Sequence, residues 1–193
     1  MENPYNTILK VCSQIDLGND SKAREIIQEE YPFKLHEKTA RKIKDSQAFS
    51  IFKRDHFIDQ YSGDRLIYIP TLRIINWKLK DDVFPYHPHG KMSKCHIAFW
   101  ELIPSLDHVI PLARNGKDEE ENIVTTSMLK NSIKANWTLK ELGWKKIEVK
   151  NLPNWDGLVN WYIDFYQKNI SDLRPLPNYS YFKHWYDIAS NPK

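Results

Sequence analysis

A group of polar side chains in the middle of the chain has the composition of a hydrolytic metal site. Asp107 and His108 lie in an apolar frame, Asn122 follows a Gly-containing loop, and Asn131 lies on a stretch with helical periodicity. Carboxylate and amide carbonyl oxygens are hard ligands that suit Mg²⁺ or Mn²⁺. Histidine titrates near neutral pH and can take a proton from an attacking water. Together these residue types indicate metal-assisted hydrolysis of a phosphodiester bond.

The residues around this group predict a strand, a loop, a second strand and a helix. Residues 106–112 have the pattern of a strand, and residues 114–121 contain the turn-forming pair Asn-Gly. A return strand is expected over residues 123–125. Thr126 or Ser127 is then placed to cap a helix that follows directly. A hairpin followed by a helix would bring the polar residues of all three elements close together.

We therefore expect Asp107, His108 and Asn131 to converge on one point, with Asn122 bracing the loop and fixing the orientation of the imidazole. Each residue taken alone has a simpler interpretation. An Asp-His pair before a proline is often a helix cap and a core histidine, and the two asparagines could be a turn residue and a surface amide. The combined spacing favours the catalytic interpretation.

The segment resembles the HNH (ββα-metal) nuclease motif, and it is similar to the HNH domain of CRISPR effector nucleases in spacing as well as residue type. Residues 96–116 also resemble a group of bacterial HNH endonucleases that lack zinc-binding cysteines. The resemblance covers roughly residues 57–135. The positions that match the motif are Asp107, His108, Pro111, Asn122, Asn131 and Lys134.

The resemblance implies a fold, an activity and a role for each residue. The expected fold class is α+β, with a ββα-metal core of a β-hairpin plus helix and flanking N- and C-terminal helices. Asp107 and Asn131 would bind Mg²⁺ (or Mn²⁺), and His108 would act as general base, supported structurally by Asn122. The implied activity is hydrolysis of DNA, and restriction and phage defence are the settings that the resemblance suggests.

Many HNH nucleases carry two Cys pairs that bind a structural zinc, and this chain departs from that pattern. The first pair would fall at Asp59 and Ser62, and the second at Ser127 and Lys130. None of the four is a cysteine, so we predict that the structural zinc is absent. A chain of this size can stabilise the hairpin with its hydrophobic surroundings instead.

The length of 193 residues suits a single domain, with 41% hydrophobic and 27% charged residues. We divide it into a helical basic N-terminal region (1–56), the nuclease core (57–135) and an aromatic-rich C-terminal extension (136–193). We expect the last 25 residues of this extension to wrap the domain surface, because they are rich in Pro and Asn. No apolar run is long enough to cross a membrane, and no signal pattern is present. The expected location is the cytoplasm, with no membrane partner and with both cysteines reduced.

DNA is the expected partner. The net charge is only +3, but residues 34–54 hold seven basic residues against two acidic ones. Arg41 and Lys42 in this stretch, together with Arg114 and Lys134 in the core, are the candidate phosphate contacts. A solvated helix face remains an alternative for the basic stretch. His87 and His89 could ligate a metal, although their position between prolines argues against it.

Two other classes of function remain open. The chain could be a catalytically silent nucleic-acid-binding module that keeps the HNH fold, or a structural protein whose aromatic C-terminal part binds a partner. Retention of His108 beside both expected ligands favours the enzyme. One active site would nick a single strand, so double-strand cleavage would need a homodimer.

Overall fold

The computed structural model describes residues 4–33, 43–148 and 154–191. The chain separates into two compact units, Met1–Ala40 and Arg41–Lys193. The described residues combine helices with one small antiparallel sheet of two strands, which is the α+β composition that the sequence predicts. None of the helices in these ranges is long and apolar enough to span a bilayer. The candidate DNA-binding residues Arg41 and Lys42 lie outside the described residues.

The elements of the described ranges follow one another in a simple order. In chain order they are α1 (Pro4–Asp16), α2 (Asp20–Glu30), α3 (Asp45–Arg54), α4 (Ile69–Leu79), α5 (Ala98–Glu101), β1 (Pro104–His108), β2 (Ile123–Ser127), α6 (Met128–Lys134), α7 (Leu139–Leu142), α8 (Val159–Lys168), α9 (Ile170–Leu173) and α10 (Tyr179–Ser190). The first unit consists of α1 and α2, joined by a turn at Gly18, which has a positive φ of 71°. The helical N-terminal part of the sequence prediction is thus confirmed for α1 and α2.

The core of the second unit is aromatic and is formed mainly by α3, α4, α8 and α10. The Tyr68 hydroxyl donates to the Trp185 carbonyl at 2.7 Å, and the Tyr162 hydroxyl donates to the Phe182 carbonyl at 2.7 Å. Burial raises the pKa of both phenols, so both remain hydrogen-bond donors. These bonds satisfy the polar atoms of large side chains inside an apolar core.

The C-terminal segment enters this core rather than wrapping the surface, so that part of the sequence prediction is wrong. Phe182, Trp185 and Ala189 recur at helical spacing and are buried in α10. The Pro- and Asn-rich residues 175–178 separate α9 from α10 and do not break the helix that follows. The Pro and Asn content of residues 175–178 therefore does not predict the structure of the segment that follows them.

The sheet is a hairpin in which Pro104 pairs with Ser127 and His108 pairs with Ile123. Strand β2 is buried along its whole length, and α6 follows it directly. The Ser127 hydroxyl caps α6 by accepting from the Lys130 amide, as predicted. The first strand ends earlier than expected, because beyond His108 the Ile110 amide bonds the side chain of Asn122 instead of a strand.

The apolar pattern of residues 57–70 predicts two strands on either side of a turn at Gly63 and Asp64, but the segment does not form them. It contributes only an isolated bridge between Ile58 and Arg65. The backbone between them bonds to the hairpin, where the Gln60 amide donates to the Thr125 carbonyl at 2.9 Å. Residues 57–70 do have the apolar alternation of strands, but across the turn at Gly63 they pair only at this one bridge.

The end of α3 anchors β2 through the adjacent pair Arg54 and Asp55. The buried Asp55 carboxylate accepts the Thr125 amide at 2.8 Å and is bridged by the Arg54 guanidinium. Arg54 also donates to the Ile123 carbonyl at 2.7 Å. The hydrogen bond to Asp55 raises the pKa of Arg54, so the charged pair is maintained. These bonds fix the hairpin to the aromatic core.

Asp59 fixes the other end of β2. Its fully buried carboxylate accepts the Tyr61 and Ser62 amides through Oδ1 and the Thr126 hydroxyl and Ser127 amide through Oδ2. The bonds to Ser127 and Thr126 are 2.7 and 3.0 Å long. One side chain thus joins the turn after α3 to the junction between β2 and α6.

We expect Asp59→Ala to lower the free energy of unfolding by about 3 kcal/mol or more, because it leaves several buried donors without an acceptor. Urea denaturation measures the change. Asp64→Ala is the matched control, since its exposed carboxylate lies on the same turn and has only a 4.0 Å contact to Lys130. Equal effects of the two substitutions would show that Asp59 does not hold the junction.

Candidate functional site

Asp107 is a buried carboxylate near the end of β1 with two donors on one oxygen. Its Oδ2 accepts the Tyr61 hydroxyl at 2.5 Å and lies 2.9 Å from the Lys134 ammonium. Lys134 also donates to the His108 carbonyl at 2.7 Å, and its side chain is 0% exposed. Lys134 therefore ties α6 to two consecutive residues of β1, and its charge is balanced by Asp107.

Tyr61 remains a donor to Asp107 at all ordinary pH values. Burial is the main cause that raises its pKa, and the negative charge of Asp107 adds to it. The Tyr61 ring contacts the Trp144 ring at 5.7 Å between centroids. The carboxylate is thus oriented by an aromatic residue from the turn after α3.

Asn131 on α6 has an orientation fixed by Ser105 and Leu106, the two residues before Asp107. Its amide nitrogen donates to the Ser105 hydroxyl at 2.7 Å and to the Leu106 carbonyl at 3.1 Å. Because a carbonyl can only accept, the second bond identifies the nitrogen and leaves Oδ1 as the remaining polar atom. Among the described residues, neither Asn131 Oδ1 nor Asp107 Oδ1 has a hydrogen-bond partner.

This pair of oxygens fits a hard divalent cation in its chemistry. One anionic and one neutral oxygen are ligands that Mg²⁺ accepts while it keeps several waters. The part of the chain that the structure describes contains no cluster of three or more His, Cys, Asp or Glu able to hold a metal. A cation bound by Asp107 and Asn131 would therefore complete its shell with water and with oxygens of the substrate.

His108 contacts a carboxylate from the loop that follows β1. Its Nε2 lies 2.9 Å from Asp118 Oδ1. Since a carboxylate can only accept, Nε2 carries the proton of the neutral ring and Nδ1 holds the lone pair. In this tautomer Nδ1 is the nitrogen that can accept a proton.

The loop between the strands is closed by Asn122, as predicted. Its Oδ1 accepts the Ile110 amide at 2.9 Å, and its Nδ2 donates to the Ile110 and Lys117 carbonyls at 2.9 and 2.8 Å. Gly116 permits this closure, because a Cβ there would lie 1.8 Å from the Ile110 carbonyl oxygen. Asn122 holds the loop, whereas Asp118 is the residue that contacts His108.

The two candidate phosphate contacts of the core differ in their surroundings. Lys134 is buried and engaged by Asp107, so its predicted contact with DNA would require it to leave that position. Arg114 is 46% exposed, bonds Glu141 and the Asn136 carbonyl, and lies 5.9 Å from the Trp137 ring. Arg114 is thus the better placed of the two to meet a phosphate.

Sequence reasoning missed Tyr61, Asp118 and Ser105 as parts of this site. Asp118 is the first residue of the acidic run 118–121, and nothing in the spacing distinguishes it from the glutamates that follow. Tyr61 lies far from Asp107 in the chain, so no local spacing connects the two residues. A search for an acid in the loop after His108 gives residues 118–121 but does not distinguish Asp118 from the three glutamates.

Comparisons with known proteins give no relative for this chain: no protein-family model, no curated protein and no solved structure matches it.

We expect Lys134→Met to destabilise the protein by about 3–5 kcal/mol, because it leaves the buried Asp107 carboxylate without its cation. Lys130→Met on the same helix is the matched control, since Lys130 is partly exposed and weakly paired. In urea denaturation the double variant Asp107→Leu/Lys134→Met should recover part of the loss. A Lys134→Met effect no larger than that of the control would contradict the buried ion pair.

Proposed function

We propose that the chain is a divalent-metal-dependent endonuclease of the HNH type that hydrolyses DNA phosphodiester bonds. The observation that carries the proposal is the arrangement around the end of β1. Asn131 bonds the Leu106 carbonyl directly before Asp107, and Lys134 bonds both Asp107 and the His108 backbone. The backbone of β1 thus links a carboxylate, an amide and an imidazole within one hairpin-plus-helix.

The positions assigned to the missing zinc cysteines give independent support. Asp59 accepts the Ser62 amide and the Ser127 amide, and the Ser127 hydroxyl accepts the Lys130 amide. The four positions that the HNH alignment groups together therefore form one connected chain of hydrogen bonds. A chance match of the motif around His108 gives no reason for such proximity.

In the proposed reaction Asp107 and Asn131 would hold Mg²⁺ or Mn²⁺, which when bound supplies positive charge against the charge that develops on the phosphate. His108 Nδ1 takes a proton from water as the water oxygen attacks phosphorus. The phosphorus–O3′ bond breaks, and the leaving oxygen takes a proton from solvent. The products are 5′-phosphate and 3′-hydroxyl ends. Asp118 holds the imidazole in the required tautomer.

The charges near the site indicate how a nucleic acid would approach. The acidic residues 118–121 lie in the loop beside His108 and repel phosphates. The segment after Lys134 instead presents the exposed Trp137, whose amide bonds the Lys134 carbonyl, with Arg114 above its ring. A cation and an exposed aromatic ring suit a phosphate and a base.

A catalytically silent DNA-binding module is the second candidate, and one observation favours it. The Lys134 ammonium already neutralises Asp107, which weakens the attraction of that carboxylate for a metal ion. The location in the cytoplasm, a homodimer and a role in restriction or phage defence remain proposals that accompany the enzyme.

Plasmid cleavage with Mg²⁺ and Mn²⁺ tests the proposal. We expect wild-type protein to cleave, and His108→Ala to lose about 10²- to 10⁴-fold in rate while DNA binding persists. Asn131→Ala should also lose activity and require more metal. His184→Ala is the matched control, because this exposed histidine pairs with Asp45 on the surface. Binding without cleavage by the wild type would support the silent module, and equal cleavage by His108→Ala would exclude His108 as the base.

Asp118 acts as a positioning residue for His108. We expect Asp118→Ala to lower kcat by about 10- to 100-fold with little change in KM or in the free energy of unfolding, because the imidazole loses its orientation. Asp118→Glu should restore part of kcat. Glu119→Gln, an exposed neighbour in the same loop, is the control. A loss of stability without a specific fall in kcat would assign Asp118 a purely structural role.

A further inference from the structure

Arg73 on α4 is a partly buried arginine without a polar partner. Its guanidinium carbon lies 3.3 Å from the centroid of the Tyr86 ring and 5.9 Å from that of Tyr181. Its Nη1 is buried and unbonded. Within residues 4–33, 43–148 and 154–191, no hydrogen bond or ion pair reaches this guanidinium. Only the faces of aromatic rings contact the charge.

This arrangement is unfavourable for a protein that has no ligand here. Burial lowers the pKa of Arg73, whereas the Asp55 carboxylate raises the pKa of Arg54. A guanidinium nevertheless stays charged at all ordinary pH values. Buried donors in native proteins almost always have a partner, so an unbonded one needs an explanation. An ordered ligand or water is the usual one.

Arg73 lines a cavity of about 140 Å³ in which such a ligand could lie. Tyr86, His87, Met128 and Tyr181 also line it, and none of the described lining residues is acidic. The volume far exceeds the ~10–15 Å³ that one water needs. It suits a single tetrahedral oxyanion with a few waters, and it is too small to enclose a nucleotide.

His87 also lines the cavity and carries a group that can act as a second donor. Its Nδ1 accepts the backbone amides of His89 and Lys91 at 3.3 and 3.4 Å. The proton of the neutral ring is therefore on Nε2, which can donate. An arginine fork with a nearby N–H donor is the arrangement that binds phosphate oxygens.

We propose that the cavity beside Arg73 is a binding site for a tetrahedral oxyanion of phosphate type, held by the Arg73 guanidinium and by His87 Nε2. The oxyanion is either free inorganic phosphate or a phosphate group of a nucleic acid. This site is separate from the proposed metal site and does not rest on the nuclease function.

The cavity adjoins the end of the hairpin opposite His108. Met128 begins α6, and its amide bonds the Ile103 carbonyl directly before β1. Four residue steps along β1 at about 3.3 Å separate this end from His108, a distance of about 13 Å. A nucleic-acid phosphate bound here would thus lie several nucleotides from the bond that is cleaved.

Thermal unfolding of the full chain in EDTA, with inorganic phosphate titrated at constant ionic strength against chloride, tests the site. We expect Tm to rise with phosphate in the wild type, because a ligand of the native state stabilises it. Arg73→Met should abolish the rise, and Arg73→Lys should weaken it because the fork is lost. Arg65→Met is the control, since exposed Arg65 also contacts an aromatic ring, that of Trp155.

Arg73→Met removes an unpaired charge, so its Tm without phosphate should equal or exceed that of the wild type. If it unfolds instead, Arg73→Lys carries the comparison. A second arm compares binding of a short oligonucleotide with and without a 5′-phosphate, in competition with inorganic phosphate. Tighter binding of the phosphorylated form identifies nucleic acid as the source, and equal binding identifies free phosphate. No response of the wild type to phosphate, or an equal response of Arg73→Met, overturns the proposal.

Discussion

The geometry of the site depends on the buried carboxylate of Asp59. Among the residues that the structure describes, strand β2 has only β1 as a partner in the sheet, so side chains rather than further strands set its position. Asp59 holds the end of β2 at Ser127, where α6 begins, and Asp55 holds its middle at Thr125. Because α6 starts directly after β2, a shift of that junction would move every residue of α6 relative to β1.

The same junction sets the charge balance of the site. Lys134 lies at the far end of α6, and its contact with Asp107 depends on where α6 lies relative to β1. A buried lysine and a buried aspartate are each costly alone and tolerable as a pair. The ion pair therefore favours the observed placement of α6, which also positions Asn131 one turn earlier.

The sequence predicted those features that depend on local chemistry. The order of hairpin and helix, the cap at Ser127 and the brace at Asn122 follow from residue preferences over a few positions. Contacts between distant segments could not be read in this way. Tyr61 bonds Asp107, and α10 packs beside Tyr68, although both pairs are distant in the chain. The helical spacing of the buried residues in α10 indicates a helix but does not identify what it packs against.

The pairing of Asp107 with Lys134 bears on how the proposed enzyme would bind its metal. The Oδ2 atom is occupied by Lys134 and Tyr61, so only Oδ1 faces a cation, and the pair as a whole is neutral. With one neutral amide as the other ligand, the protein alone offers a divalent ion little compensating charge. The phosphate of the substrate would bring the missing negative charge. Under the proposed function, metal and DNA therefore bind cooperatively, and weak metal binding by the free protein is consistent with catalysis.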